Sequence, residues 1–146
     1  MALENAYRKA AAVAAADPGT AAVLGVDTVV TVGRELYGKP RDRADAEEIL
    51  RALSGRRHAV ISGVYLIEPG RTRSAAARTL VEFRDLDDAI IGAYLDTGEW
   101  RERAGAYAIQ GRGAVLVRAI EGDYLNVVGL PVATLIELMP GLALAR

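Results

Sequence analysis

Apolar and polar positions along the chain change period several times, and the changes mark out an alternation of helices and strands. Residues 3–16 are dominated by alanine and carry no helix breaker until Asp17-Pro18-Gly19, so a first helix is predicted there. From Val23 to Val32 the chain is apolar and β-branched, the pattern of a strand buried on both faces. Gly33-Arg34 turns the chain into a short return through Leu36 and Tyr37, and Pro40 stops it. Asp42 reads as an N-cap for a helix that places Ala46, Ile49, Leu50 and Leu53 on one face and ends at Gly55. A second long strand covers Ala59 to Ile67. Pro69-Gly70 turns, and Arg78 to Arg84 is expected to pair back antiparallel. Asp87 caps a helix to about Thr97, with Ile90, Ile91, Tyr94 and Leu95 inward and Gly98 as its stop. A long loop over 100–111 follows. Ala114 to Ile120 reads as a strand, Asn126 to Pro131 as a compact bend, and Pro131 opens a last helix through Met139. Alternating elements with two hairpins predict an α/β domain with a mixed sheet and flanking helices.

One position breaks the apolar rule. Asp27 interrupts the first strand, and a carboxylate there is costly to bury unless it meets a cation, a metal or a hydrogen-bond donor. The hairpin at 33–34 carries Lys39 back toward it. Two readings stay open: an acidic centre facing an anion-binding lysine, or a salt bridge with no chemistry. Lys9, on the first helix, either reaches the same site or lies in solvent, and taken alone it reads as an ordinary exposed lysine. The 100–111 loop interleaves small residues and glycines with Arg103 and Gln110, a composition suited to lining a ligand.

Composition narrows the chemistry. With 146 residues the chain has the size of one domain. A net charge of −1 argues against a nucleic-acid surface, which is normally strongly basic. The chain has no cysteine, which excludes disulfides, iron–sulfur clusters and thiolate zinc sites. The only histidine, His58, rules out a multi-histidine metal centre and reads as structural rather than as part of a serine triad. No stretch has the length of a membrane span, and the short alanine run after Arg8-Lys9 is a poor signal peptide, so a cytoplasmic location is expected. There is no P-loop and no Gly-x-Gly-x-x-Gly opening a helix. Carboxylate-plus-lysine chemistry remains, which suits metal-assisted hydrolysis of a phosphoanhydride.

Six segments, in order and over nearly all the chain, resemble the Maf family of nucleotide pyrophosphatases. They are Gly25-Val26-Asp27-Thr28-Val29-Val30, Gly38-Lys39-Pro40-Arg41-Asp42, Leu53-Ser54-Gly55-Arg56 through Ser62-Gly63-Val64, Thr97-Gly98-Glu99-Trp100, Ala104-Gly105-Ala106-Tyr107-Ala108-Ile109-Gln110-Gly111, and Ile120-Glu121-Gly122 through Asn126-Val127-Val128-Gly129-Leu130-Pro131. The resemblance implies a Maf/ITPase-like mixed sheet with a central nucleotide cleft. It also implies hydrolysis of a nucleoside triphosphate to monophosphate and diphosphate with Mg²⁺ or Mn²⁺. Asp27 becomes the proton acceptor or the metal-side carboxylate. Lys9 and Lys39 become phosphate-binding residues, with Arg103 where the family usually has lysine. Thr28 and Gln110 match positions that separate family branches, and their forms resemble the dTTP/UTP branch. A nucleotide partner is implied, no nucleic acid or membrane, and a homodimer remains possible.

In the family, a strand, a Ser-x-Ser-Pro-Arg-Arg turn and a glutamate precede the helix that carries Lys9. Here Met1 stands just ahead of that helix. Residues 1–146 are therefore expected to be a single Maf-like domain, truncated at its N-terminus relative to the family. The alternative to an enzyme is then a non-catalytic nucleotide-binding or septum-formation regulatory protein.

Overall fold

In the computed structural model, which describes residues 1–17, 19 and 22–144, the alanine-rich segment forms α1 (Ala2–Ala16). Of the expected breaker, Pro18 lies outside the described residues. The apolar run forms β1 (Val23–Val32), and β2 (Glu35–Tyr37) returns along its end. Next come α2 (Arg43–Leu53), β3 (Arg57–Glu68), β4 (Arg71–Phe83) and α3 (Asp88–Asp96). The chain finishes with β5 (Val117–Glu121), α4 (Tyr124–Val128) and α5 (Val132–Leu138). The five strands form one sheet in the order β2-β1-β3-β4-β5. Every pairing within it is antiparallel. The α/β architecture with flanking helices is as expected, and the sheet contains no parallel pair among the described residues.

Local chemistry explains most boundaries. Asp42 caps α2 by accepting from the Asp45 N–H at 2.8 Å, and Asp87 caps α3 from the Ile90 N–H at 2.8 Å. Each such cap is worth about 1 kcal/mol. The inward faces of α2 and α3 meet the sheet at Leu50, Leu53, Ile91 and Leu95, all essentially buried with Val60, Val81 and Phe83.

Four expectations about the chain need correcting. The partner of β3 begins at Arg71 rather than Arg78, because the Pro69-Gly70 turn is tight and pairing starts at once, with Glu68 opposite Arg71. The expected 114–120 strand is shorter. Arg112–Leu116 wind as a 3₁₀ turn, tied by the Arg112 and Gly113 N–H groups to the Glu99 carboxylate at 3.0 and 3.3 Å. The expected bend at 126–131 begins as helix α4, capped by Asp123 accepting from the Leu125 N–H at 2.8 Å. Finally, β1 is not buried on both faces along its length: Leu24 is 40% exposed. Only Val30–Val32 of β1 pair with β2, so the earlier part has β3 as its one partner among the described strands.

What places the site is the seating of α1. Its buried alanines, Ala2, Ala6 and Ala10, lie on β1 and β3 at two glycines. A Cβ at Gly25 would stand 2.0 Å from the Ala6 carbonyl oxygen, and one at Gly63 would stand 2.5 Å from the Leu3 nitrogen. Helix backbone therefore touches sheet backbone, a closeness that side chains at either position forbid. Seated so, α1 presents Asn5 and Lys9, one turn apart, over the middle of β1.

Candidate active site

Asp27 sits midway along β1, opposite Gly63 of β3, with its side chain 15% exposed. Each carboxylate oxygen has its own donor from α1. Lys9 Nζ stands 2.6 Å from Oδ1, and Asn5 Nδ2 donates to Oδ2 at 2.9 Å. Lys9 also donates to the Val26 carbonyl at 3.1 Å. The cation on Asp27 is thus Lys9 and not Lys39, the lysine that the hairpin suggested. Lys9 does not simply point into solvent, because the short helix–sheet distance brings its stem across β1.

Lys39 comes from the segment after β2 and lines the same hollow as Lys9 and Asp27. A hydrogen bond from the Gly105 N–H to the Gly38 carbonyl, at 3.1 Å, ties its segment to the 102–111 loop. Its ammonium meets Glu102 at 2.7 Å. That pairing lowers the Glu102 pKa, mainly through the hydrogen bond from Lys39. Glu102 holds a left-handed backbone, φ 59°, which an L side chain adopts at a cost.

The chain's cations are distributed unevenly. Of its 18 lysines and arginines only Lys9 and Lys39 are lysines, and both line this one hollow. Ammonium groups are compact charges with freely turning donors, whereas guanidinium is a planar fork. In a chain that otherwise uses arginine, this is the one place that takes ammonium. Both are neutralised by a carboxylate in the structure, so any polyanion entering the hollow would have to compete with Asp27 and Glu102 for them. An expected result follows at Glu102. Because the pair is exposed, Glu102→Gln should tighten triphosphate binding only about twofold to fivefold, less at high salt. Titration calorimetry at two ionic strengths checks this; weaker binding would instead make Glu102 part of the binding surface.

The remaining wall comes from the 100–111 loop and α4. Arg103, Ala104, Tyr107, Ala108 and Gln110 face the hollow, with Val127, Val128 and Gly129 beyond them. Arg103, Ala108 and Gln110 also line an adjoining hollow with Glu99 and Arg101. The two measure about 190 and 370 Å³, together the size of a small-molecule site. Thr28 lines the first, its hydroxyl 2.8 Å from that of Ser62 on β3. All six residues singled out from the sequence, Lys9, Asp27, Thr28, Lys39, Arg103 and Gln110, therefore meet in one cleft.

Buried hydroxyls hold the loop in place. Tyr94 Oη accepts from the Ala108 N–H at 3.0 Å. Tyr107 Oη lies 2.9 Å from His58 Nε2, and both rings stand edge-on to Phe83. Burial pushes the His58 pKa down to about 4, so the ring is neutral at pH 7. His58 is thus a support behind the cleft wall, as its position at the start of β3 suggested. Sequence reasoning missed Asn5 and Glu102. The i, i+4 spacing of Asn5 and Lys9 was a visible signal, whereas nothing local marked Glu102.

Comparison with known proteins identifies the family. A model of the family described as Maf-like protein matches residues 1–142. The chain belongs to this family. Among its relatives, the dTTP/UTP pyrophosphatase of Latilactobacillus sakei subsp. sakei (strain 23K) is 46% identical over 134 residues, 92% of this chain and 74% of the relative. That of Symbiobacterium thermophilum (strain DSM 24528 / JCM 14929 / IAM 14863 / T) is 48% identical over 134 residues, 92% of this chain and 69% of the relative. That of Pyrococcus furiosus (strain ATCC 43587 / DSM 3638 / JCM 8422 / Vc1) is 45% identical over 120 residues, 82% of this chain and 63% of the relative. The Maf-like match extends over the cleft residues on α1, β1 and the 100–111 loop alike. No described helix is long and apolar enough to cross a membrane.

Proposed function

We propose that the cleft hydrolyses nucleoside triphosphates, with dTTP and UTP preferred, to the monophosphate and diphosphate. The observation that carries this reading is the pair of lysines, the only two in the chain, converging with Asp27 on one hollow of a Maf-like fold. Asp27 accepts the proton of the attacking water, whose oxygen bonds to the α-phosphorus. The α–β bridging bond breaks, and its electrons leave with the diphosphate. Lys9 and Lys39 lie against the phosphates and offset the charge that grows on the leaving group. Arg103, at the junction of the two hollows, adds a third cation.

Among the described residues no three His, Cys, Asp or Glu side chains gather into a metal cluster. A single carboxylate, Asp27, fits Mg²⁺ or Mn²⁺ that takes its other ligands from phosphate oxygens and water. Bound there with the triphosphate, such an ion would supply charge neutralisation and polarise the phosphoryl oxygens.

Base recognition falls to Gln110 and Thr28. An amide both donates and accepts, matching the mixed edge of thymine or uracil, while Tyr107 and Ala108 supply apolar wall. Gln110→Glu should therefore lower kcat/KM for dTTP and UTP about tenfold or more, because a carboxylate only accepts. Rates across a panel of triphosphates check it, and an unchanged ranking would remove Gln110 from base selection.

The function itself is tested by incubating the protein with each triphosphate and Mg²⁺ or Mn²⁺ and resolving the products. Equal amounts of monophosphate and diphosphate, fastest from dTTP and UTP, are expected. Binding without turnover would favour the regulatory reading, and orthophosphate release would place the attack at the γ-phosphorus.

A further inference from the structure

We propose that Asn5 is a positioning residue for Asp27. Its amide holds Oδ2 and keeps Oδ1 turned to the cleft when a triphosphate draws Lys9 away. The inference rests on the hydrolytic reading above and adds to it a residue that contacts the carboxylate rather than the substrate.

The two donors on Asp27 differ in what they do when substrate enters. Lys9, 2.6 Å from Oδ1, carries a full charge, and its side chain is 55% exposed. A polyphosphate competes directly for such an ammonium. Asn5 donates to Oδ2 at 2.9 Å, is only partly exposed and carries no net charge, so a phosphate has little hold on it. Once Lys9 shifts to phosphate, Asn5 is the side-chain donor that remains on the carboxylate among the described residues. A carboxylate held at one oxygen presents the other in a fixed direction, whereas a free one rotates about χ2.

The backbone supports this division. Asn5 and Lys9 stand one turn apart on α1, and the contacts of Ala6 and Ala10 with Gly25 fix that turn against β1. The backbone that carries Asn5 therefore stays over β1 whichever way the Lys9 side chain turns. Asparagine is also a weaker helix former than the alanines around it, so its place in this turn is not owed to helix stability.

The test uses Asn5→Leu, Asn5→Gln and Asp27→Asn in the full chain, with turnover of dTTP and equilibrium binding of its α,β-methylene analogue. Asn5→Leu is expected to lower kcat about 10- to 100-fold while KM and analogue affinity stay within about threefold. Asn5→Gln, which keeps the amide, should recover most of the loss. In the Asp27→Asn background, adding Asn5→Leu should change the residual rate less than about twofold, because a residue acting through Asp27 has nothing left to position. Three results would overturn the proposal. One is an Asn5→Leu enzyme with unchanged kcat beside a dead Asp27→Asn, which leaves the hydrolytic reading standing. The second is an equal loss from Asn5→Leu with and without Asp27, together with a lowered Tm, which makes Asn5 a helix-to-sheet tie. In the third, Asp27→Asn alone keeps its rate, and the general-base reading fails first and takes this one with it.

Discussion

Asp27→Asn should lower diphosphate release from dTTP by about 10²- to 10⁴-fold, the usual span for removing a general base. The substitution keeps the shape of the side chain and its contact with Asn5, since the amide oxygen still accepts from Nδ2. What it removes is the ability to take a proton from water. It also removes the charge that holds Lys9 at 2.6 Å. Lys9 is then free for phosphate, so affinity for dTTP measured without divalent metal should hold or rise, while turnover with metal collapses. That opposite movement separates loss of a base from loss of a binding group. Steady-state rates and equilibrium binding on the same preparation check it. Turnover within about tenfold of the parent, a barrier change of only ~1.4 kcal/mol, would exclude Asp27 as the base.

Gly25→Ala should damage both stability and site. The added Cβ would lie 2.0 Å from the Ala6 carbonyl oxygen and 2.9 Å from the Ala10 side chain, and the first of these is helix backbone that cannot rotate away. The helix must lift by roughly an ångström, and overpacking of this kind costs about 1–3 kcal/mol. For a chain of this size that lowers Tm by about 3–15 °C. Because Asn5 and Lys9 ride on the same helix, the lift also pulls both donors from Asp27, and a displacement of about 1 Å costs on the order of 100-fold in rate. Calorimetry and turnover together test it. An unchanged Tm with full activity would mean that α1 is not seated through Gly25.

These two expectations draw on different kinds of information. The carboxylate was visible in the sequence, since an acid within a β-branched run stands out against the cost of burying charge. The elements were visible too, where local chemistry governs them: the Asp42 and Asp87 caps and the apolar faces of α2 and α3 depend on neighbours within a turn or two. Where a boundary depended on distant partners, sequence reading lost it. Glu99, 13 residues away, holds the turn at 112–116 with its carboxylate and so delays β5. The start of β4 at Arg71 is set by the register of β3 across the hairpin.

The sequence by itself determined the inventory of the cleft: an acid on β1, two lysines, a loop with Arg103 and Gln110, and a fold able to bring them together. The tertiary structure decided the pairing. Lys39 was the lysine drawn toward Asp27 by chain connectivity, yet it bonds to Glu102, and Lys9 takes Asp27 from another element. The reason is physical. Which charges meet is set by distances of a few ångströms between elements, and here two glycines 38 residues apart, Gly25 and Gly63, set the height of α1 above the sheet. No local pattern encodes that height. It exists only once both strands are paired and the helix has come down on them, and it is what brings Asn5 and Lys9 to Asp27.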